Sequence, residues 1–307
     1  MVGSLITTKG KNIMLYRAWT ENGDLSATEY LAPTQFKISV NETDPLISET
    51  DLTYSVPISD GVLNDDGDNT LTGSNGGTNS TDNTTTYKEG AGVTDNTSQN
   101  LITNATSATK TWTIADLSSL GTIIDSVKFC GLWFYIKDAT TLAYFKTTGT
   151  VLQIKLGSDA SNYYSIAFTA ALLSTGWNWL TSTVIISAWT ETGTVSGNID
   201  TFILEVTTNN ATDSWASADV IYDMLRTWAI TDLLKDYSTG YPTFDYINNK
   251  VTTRGYLTTL EANGFLIDGY GDFNEDTTKL MAGKDAIDSE SKSLTDEFAF
   301  IAVNKIK

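Results

Sequence analysis

The chain has 307 residues, a formal net charge of −18 and no histidine. An acidic surface of this size repels nucleic acid and anionic membranes, so neither is an expected partner. The missing imidazole removes Ser-His-Asp and Cys-His catalysis and every His-based metal site.

Composition indicates β structure. Thr, Asn, Ser and Gly are abundant, beside 8 Trp, 14 Tyr and 11 Phe, and only 18% of residues are charged. Such a mixture reads as strands joined by polar turns. The start, residues 1–12, is polar and lacks the apolar core of a secretory signal, so synthesis in a cytoplasm is expected. No stretch approaches the roughly 20 apolar residues of a membrane span, so no membrane insertion is expected.

The first strand candidate is 12–19, largely apolar and aromatic. The next, 35–40, alternates: Phe36, Ile38 and Val40 share one face, and Gln35, Lys37 and Ser39 the other. Strict alternation predicts a half-buried strand. Residues 58–100 change character. NDDGDN (64–69) and 72–83 are turn residues almost throughout, which predicts a long surface loop or the polar entry to a second unit.

Strand candidates then recur at 110–114, 126–137, 151–156, 163–169, 177–187, 200–207 and 219–229. Leu152, Ile154 and Leu156 share a face, as do Phe202, Leu204 and Val206. That many short strands predict an antiparallel sandwich or jelly roll. The single cysteine, Cys130, lies in an apolar run and reads as a small buried hydrophobe. Residues 231–240 fit one or two helical turns, capped by Thr231 or Asp232 and ended by Gly240 and Pro242. Strands return at 250–258 and 297–303, where Phe298, Phe300 and Ala302 share a face.

Two sets of motifs resemble known families. LITTKGKNIMLYRAWT (5–20), APTQFKISVNETDP (32–45) and DLTYSVPI (51–58) look like the opening of phage tail-fibre and related virion attachment domains. KVTTRGYLTTLEANGFLIDGYGDFNED (250–276) and SKSLTDEFAFIAVNKI (291–306) look like the closing half of such a domain. Between them, TTTYKEGAG (84–92), GLWFYIKD (131–138), LQIKLGSDASNYYSIAF (152–168), GWNWL (176–180) and DVIYDMLRTW (219–228) resemble phage-borne jelly rolls of the carbohydrate-binding-module or laminin-G-like type. The last strand of those modules commonly reads WFDNI. Here Ile221 or Tyr222 stands in place of its Trp.

The resemblance implies an all-β protein: a discontinuous virion attachment β-sandwich, 1–57 plus 243–307, with an inserted antiparallel jelly roll at 58–242. It implies a non-enzymatic fibre, decoration or adaptor component of a phage particle, located in the virion. Other virion proteins and further copies of itself are the implied partners, with a host surface glycan as a further ligand. The alternatives are a stand-alone glycan-binding module and a polysaccharide depolymerase. The latter needs a carboxylate pair such as Asp138 with Asp159 or Glu205 with Asp223.

In the resembling modules the Asp matching Asp223 binds a structural Ca²⁺. Further oxygens are available from Glu89, Asp82 or the Asp65, Asp66 and Asp68 cluster. The competing reading of Asp223 is a solvent-facing residue on an alternating strand. NDDGDN lacks the downstream Glu of an EF-hand loop. Among the aromatics, Tyr163, Tyr164 and Trp215 lie near Asn-, Ser- and Asp-rich turns and are the candidates for stacking on a sugar. Trp133 and Trp177, in strongly apolar strands, are expected in the core.

Overall fold

The computed structural model describes residues 5–6, 33–40, 51–52, 55–59, 61–88, 96–120, 123–245, 247, 250–259, 261–274, 281–292 and 297–305. The strand candidate at 12–19 lies outside them. In chain order the strands begin β1 Leu5–Ile6, β2 Pro33–Ser39, β3 Val62–Asp65, β4 Thr72–Asn75, β5 Thr81–Asn83, β6 Ser98–Asn100 and β7 Thr109–Ile114. They continue β8 Phe129–Ile136, β9 Thr150–Asp159, β10 Asn162–Thr169, β11 Gly176–Thr181, β12 Thr190–Thr192, β13 Thr201–Thr207 and β14 Val220–Trp228. The last are β15 Lys235–Asp236, β16 Thr243–Asp245, β17 Lys250–Leu257, β18 Leu266–Asn274, β19 Met281–Ser291 and β20 Phe298–Lys305. The fold is all-β with antiparallel pairing, as composition and alternation indicate.

The chain divides into two compact units, 61–229 and 1–60 with 230–307. The inserted unit carries two sheets, in strand order β12-β10-β9-β13-β7-β4 and β11-β8-β14-β6-β5, with β3 also paired to β14. Its core collects the alternating apolar residues of both: Leu152, Ile154 and Leu156 from β9, Phe202, Leu204 and Val206 from β13, Leu132, Phe134 and Ile136 from β8. Burying such a side chain contributes roughly 1.5–3 kcal/mol, which fixes the register of each strand.

The described part of the polar stretch, 62–88 and 96–100, opens the second unit rather than forming one long loop. It supplies β3, β4, β5 and β6. These strands satisfy their polar side chains against one another: Ser80 Oγ donates to Gln99 Oε1 at 2.6 Å, and Asn83 Nδ2 to Asn100 Oδ1 at 2.9 Å. Buried polar groups are tolerated when they are hydrogen-bonded, so no apolar pattern is required there.

The outer unit has sheets β1-β19-β18-β2-β15 and β16-β17-β20. Phe36 of β2 stacks on Tyr270 of β18 at 5.6 Å, and Tyr270 on Phe300 of β20 at 5.7 Å. Strands from opposite ends of the chain therefore share one core. The other face of β2 is covered as well: Lys37 is buried over the Phe273 ring and pairs with Asp51 at 2.7 Å. The segment 230–242 also belongs to this unit rather than to the insertion. In place of the expected helix it forms a 3-10 turn, Ile230–Leu233, and then β15, which pairs with β2. The Asp232 carbonyl accepts the backbone N–H groups of Ile58 and Ser59, a tertiary bond that outweighs the local preference for helix.

Candidate functional site

All nine residues of β14 are buried, and the strand is broken at its middle. Its register with β8 shifts between Asp223 and Arg226, and Met224 takes a positive φ of 47°. On its other side β14 leaves β6 after Tyr222 and meets β3 at Leu225. Asp223 stands in the gap between those two partners. It is 0% exposed, so it is not the solvent-facing residue of an alternating strand. Its Oδ2 accepts the backbone N–H of Lys88 at 2.6 Å, while Oδ1 is buried with no hydrogen-bond partner. Burial pushes its pKa up to about 8, and the charges of Asp65 and Asp66 add to the rise.

The loop after β3 runs against this orphan oxygen. Gly67 has φ 86°, and a Cβ there would lie 2.6 Å from Asp223 Oδ1. Glycine is what lets the backbone approach so closely. On either side of Gly67, carboxylate oxygens of Asp65, Asp66 and Asp68 gather within 4.8 Å of one another. Asp65 is buried: Oδ2 accepts the Tyr222 hydroxyl at 2.7 Å and Oδ1 the Asn69 amide at 2.6 Å. Burial raises its pKa despite these bonds.

Four carboxylates crowded around one loop repel each other when ionised, and a dry environment strengthens the repulsion. Proton uptake relieves it, and so does a cation. The donor set is oxygen only, which suits a hard ion such as Ca²⁺, with its about six to eight oxygen ligands. The residues fit the calcium that the resemblance implies. Asp65, Asp66 and Asp68 would hold the ion, and Asp223, whose Oδ1 meets the same loop at Gly67, would be ionised beside it. Asp82 is exposed on β5 and stands one amide away, because Gln99 Nε2 bonds both Asp82 Oδ1 at 2.9 Å and the Gly67 carbonyl at 3.0 Å. Glu89 lies outside the described residues.

The three aromatic candidates do not converge. Trp215 is a core residue, 4% exposed, stacked on Phe145 at 5.3 Å with its indole N–H donated to the Leu101 carbonyl. Its polar sequence neighbours conceal this, because Phe145 and Leu101 are distant in the chain. Tyr163 and Tyr164 are half-buried neighbours on β10, so they point to opposite faces. Tyr164 packs against the core, and Tyr163 lies beside Lys155, 5.1 Å from its ring.

A different aromatic group does gather. Trp133 and Tyr135 of β8 lie across from Trp179 and Trp177 of β11. Ring centroids are 5.1 Å apart for Trp133–Trp179, 5.2 Å for Tyr135–Trp177 and 6.4 Å for Trp133–Trp177. Lys88 Nζ sits 4.0 Å over Trp133. Alternation along β8 sends Leu132, Phe134 and Ile136 into the core, so Trp133 and Tyr135 take the opposite face. Trp133 is buried among the core residues, as its apolar strand leads one to expect, whereas Trp177 is only half-buried, which corrects the expectation for that residue. The i, i+2 spacing of Trp177 and Trp179 is the sequence signal for a shared face.

The carboxylates imagined as catalytic pairs have structural partners. Asp138 caps the single-turn helix Ala139–Leu142 by accepting the Thr141 N–H, which holds its pKa down. Asp159 accepts from Asn162 and Ser161, which holds its pKa below the usual range. Glu205 pairs with Lys155 at 2.8 Å. Among the described residues no helix is long and apolar enough to cross a membrane. No protein-family model, curated protein or solved structure matches this chain.

Proposed function

We propose that this chain is a non-enzymatic structural component of a bacteriophage particle. The discontinuous outer unit docks to other virion proteins, and the inserted sandwich is displayed and stiffened by calcium. The observation that carries the reading is the insertion itself. Segments from both ends of the chain build one unit, and a complete sandwich with its own core lies between them in sequence. A module attached at both of its ends is held more firmly than one on a single tether. Mass spectrometry of purified particles from the source tests it. The chain is expected in stoichiometric amount, and its absence from particles sinks the proposal.

A second reading is favoured by the aromatic face. Sugar rings present apolar faces that stack on Trp and Tyr, and Tyr135 and Trp177 are partly open to solvent. On this reading the displayed sandwich also binds a host glycan. Glycan-array binding that falls with Trp177→Ala supports it, and a blank array across bacterial polysaccharides removes it.

A further inference from the structure

Among the described residues three lysines are buried: Lys37, Lys110 and Lys292. Lys37 meets the carboxylate of Asp51, and Lys110 donates to the backbone carbonyls of Asn104 and Ala211. An ionised carboxylate resists attack by an amine, and attack on a backbone amide would cut the chain. Lys292 differs. Its Nζ donates to the side-chain carboxamide of Asn263, 2.9 Å from Oδ1, and the two residues are 1% and 3% exposed.

The surrounding backbone holds this pair in place. The Lys292 N–H donates to the Phe265 carbonyl at 2.9 Å, and the Gly264 N–H to the Lys292 carbonyl at 2.8 Å. Two positive φ values flank Asn263, 51° at Ala262 and 84° at Gly264. A positive φ at alanine is strained, and the turn keeps it with Asn263 buried. Asn263 Nδ2 donates to the Thr259 carbonyl at 2.9 Å, which fixes the plane of the amide and leaves its oxygen to Nζ. The competing nucleophile for Asn263 Cγ is the Gly264 nitrogen, which closes a succinimide ring when it is free. Here its hydrogen is committed to Lys292.

We propose that Lys292 and Asn263 join through an isopeptide bond. The neutral amine attacks Cγ, the Nζ–Cγ bond forms and the Cγ–Nδ2 bond breaks. Nδ2 leaves as ammonia with the hydrogen that Nζ gives up. Nothing is oxidised or reduced, and no co-reactant is consumed. Burial favours the uncharged form of an amine, which is the nucleophile. Holding two groups in reacting geometry supplies effective molarities of about 10⁵–10⁸ M, the kind of advantage that a slow amide exchange needs. The product ties β18 to β19 just beyond their Leu266↔Ser291 pair. It does not depend on the display reading above.

The test is the intact mass of the purified full chain, measured after denaturation. The wild type should weigh about 17 Da less than its sequence requires, the mass of one ammonia. After trypsin, 255–279 and 285–305 should appear as one branched peptide, uncut at Lys292. Lys292→Arg should have the full mass of its own sequence, and its digest should release 255–279 unlinked. A wild type at full sequence mass overturns the proposal. So does a light chain without the branched peptide. Lys292→Arg with the same loss also overturns it, because that marks ring closure at Asn263 and Gly264 instead.

Discussion

The sheet built on β8, β11 and β14 has two faces of opposite construction. One carries Leu132, Phe134, Ile136, Leu180, Val220 and Tyr222 and packs into the core of the inserted unit. The other carries Trp133, Tyr135, Trp177, Trp179 and Asp223, none of which joins the cluster that the first face forms. On the first face, side chains from a second sheet exclude water. On the second, the rings shield one another and Lys88 lies across Trp133. Burial alone therefore does not reveal a residue's role. What covers it does.

The largest effect separating the faces belongs to the core. Phe134 is fully buried and meets Phe145 edge-on at 6.0 Å. Phe134→Ala should cost about 3–5 kcal/mol in urea unfolding, through lost burial and the cavity left behind.

Asp223 gives the next effect, and it is set by pH. Its ordinary pKa is 3.8, and in the folded chain it is about 8. Between those values the folded state holds the extra proton, so stability falls as pH rises, by at most about 1.4 kcal/mol per unit. Asp65, also shifted upward, acts in the same sense. Calcium would favour the ionised carboxylates and offset that fall. At about 100 times its dissociation constant it should add about 2.7 kcal/mol. Asp223→Asn should flatten the slope in chelator and reduce the calcium increment, since its charge is coupled to Asp65 and Asp66. If unfolding of the wild type and of this variant responds identically to pH and to calcium, the metal centre is wrong. A smaller loss, about 1–3 kcal/mol, is expected for Tyr222→Phe, which strips buried Asp65 of its hydroxyl donor.

These sites differ in how far the sequence reveals them. β9 and β13 are legible because each buries one face, and Leu152, Ile154 and Leu156 must then alternate with more polar residues. β5 and β6 are not legible. Their buried residues are satisfied by polar partners and need no apolar signature: Asn83 bonds Asn100, Ser98 donates to the Thr86 carbonyl and Gln99 donates to Asp82. β14 is buried on both faces, so its sequence has no period that would show Asp223 pointing away from the core. The NDDGDN segment shows its acidity openly. Its meeting with Asp223 does not show, because a separation of more than 150 positions is closed only by the pairing of β3 with β14.

The smallest stability effect gives the sharpest contrast. Trp177 is half-buried, and its neighbours are other rings: Tyr135 at 5.2 Å and Trp133 at 6.4 Å. Trp177→Ala opens no closed cavity, because the site borders solvent. It should therefore cost only about 1 kcal/mol, the scale of one or two aromatic pair contacts. If the face serves binding, the same substitution should remove most glycan affinity while Phe134→Ala, measured below its own unfolding transition, leaves it largely intact. A loss from Trp177→Ala as large as that from Phe134→Ala would mean that the second face is a satellite core, with its rings retained for packing alone.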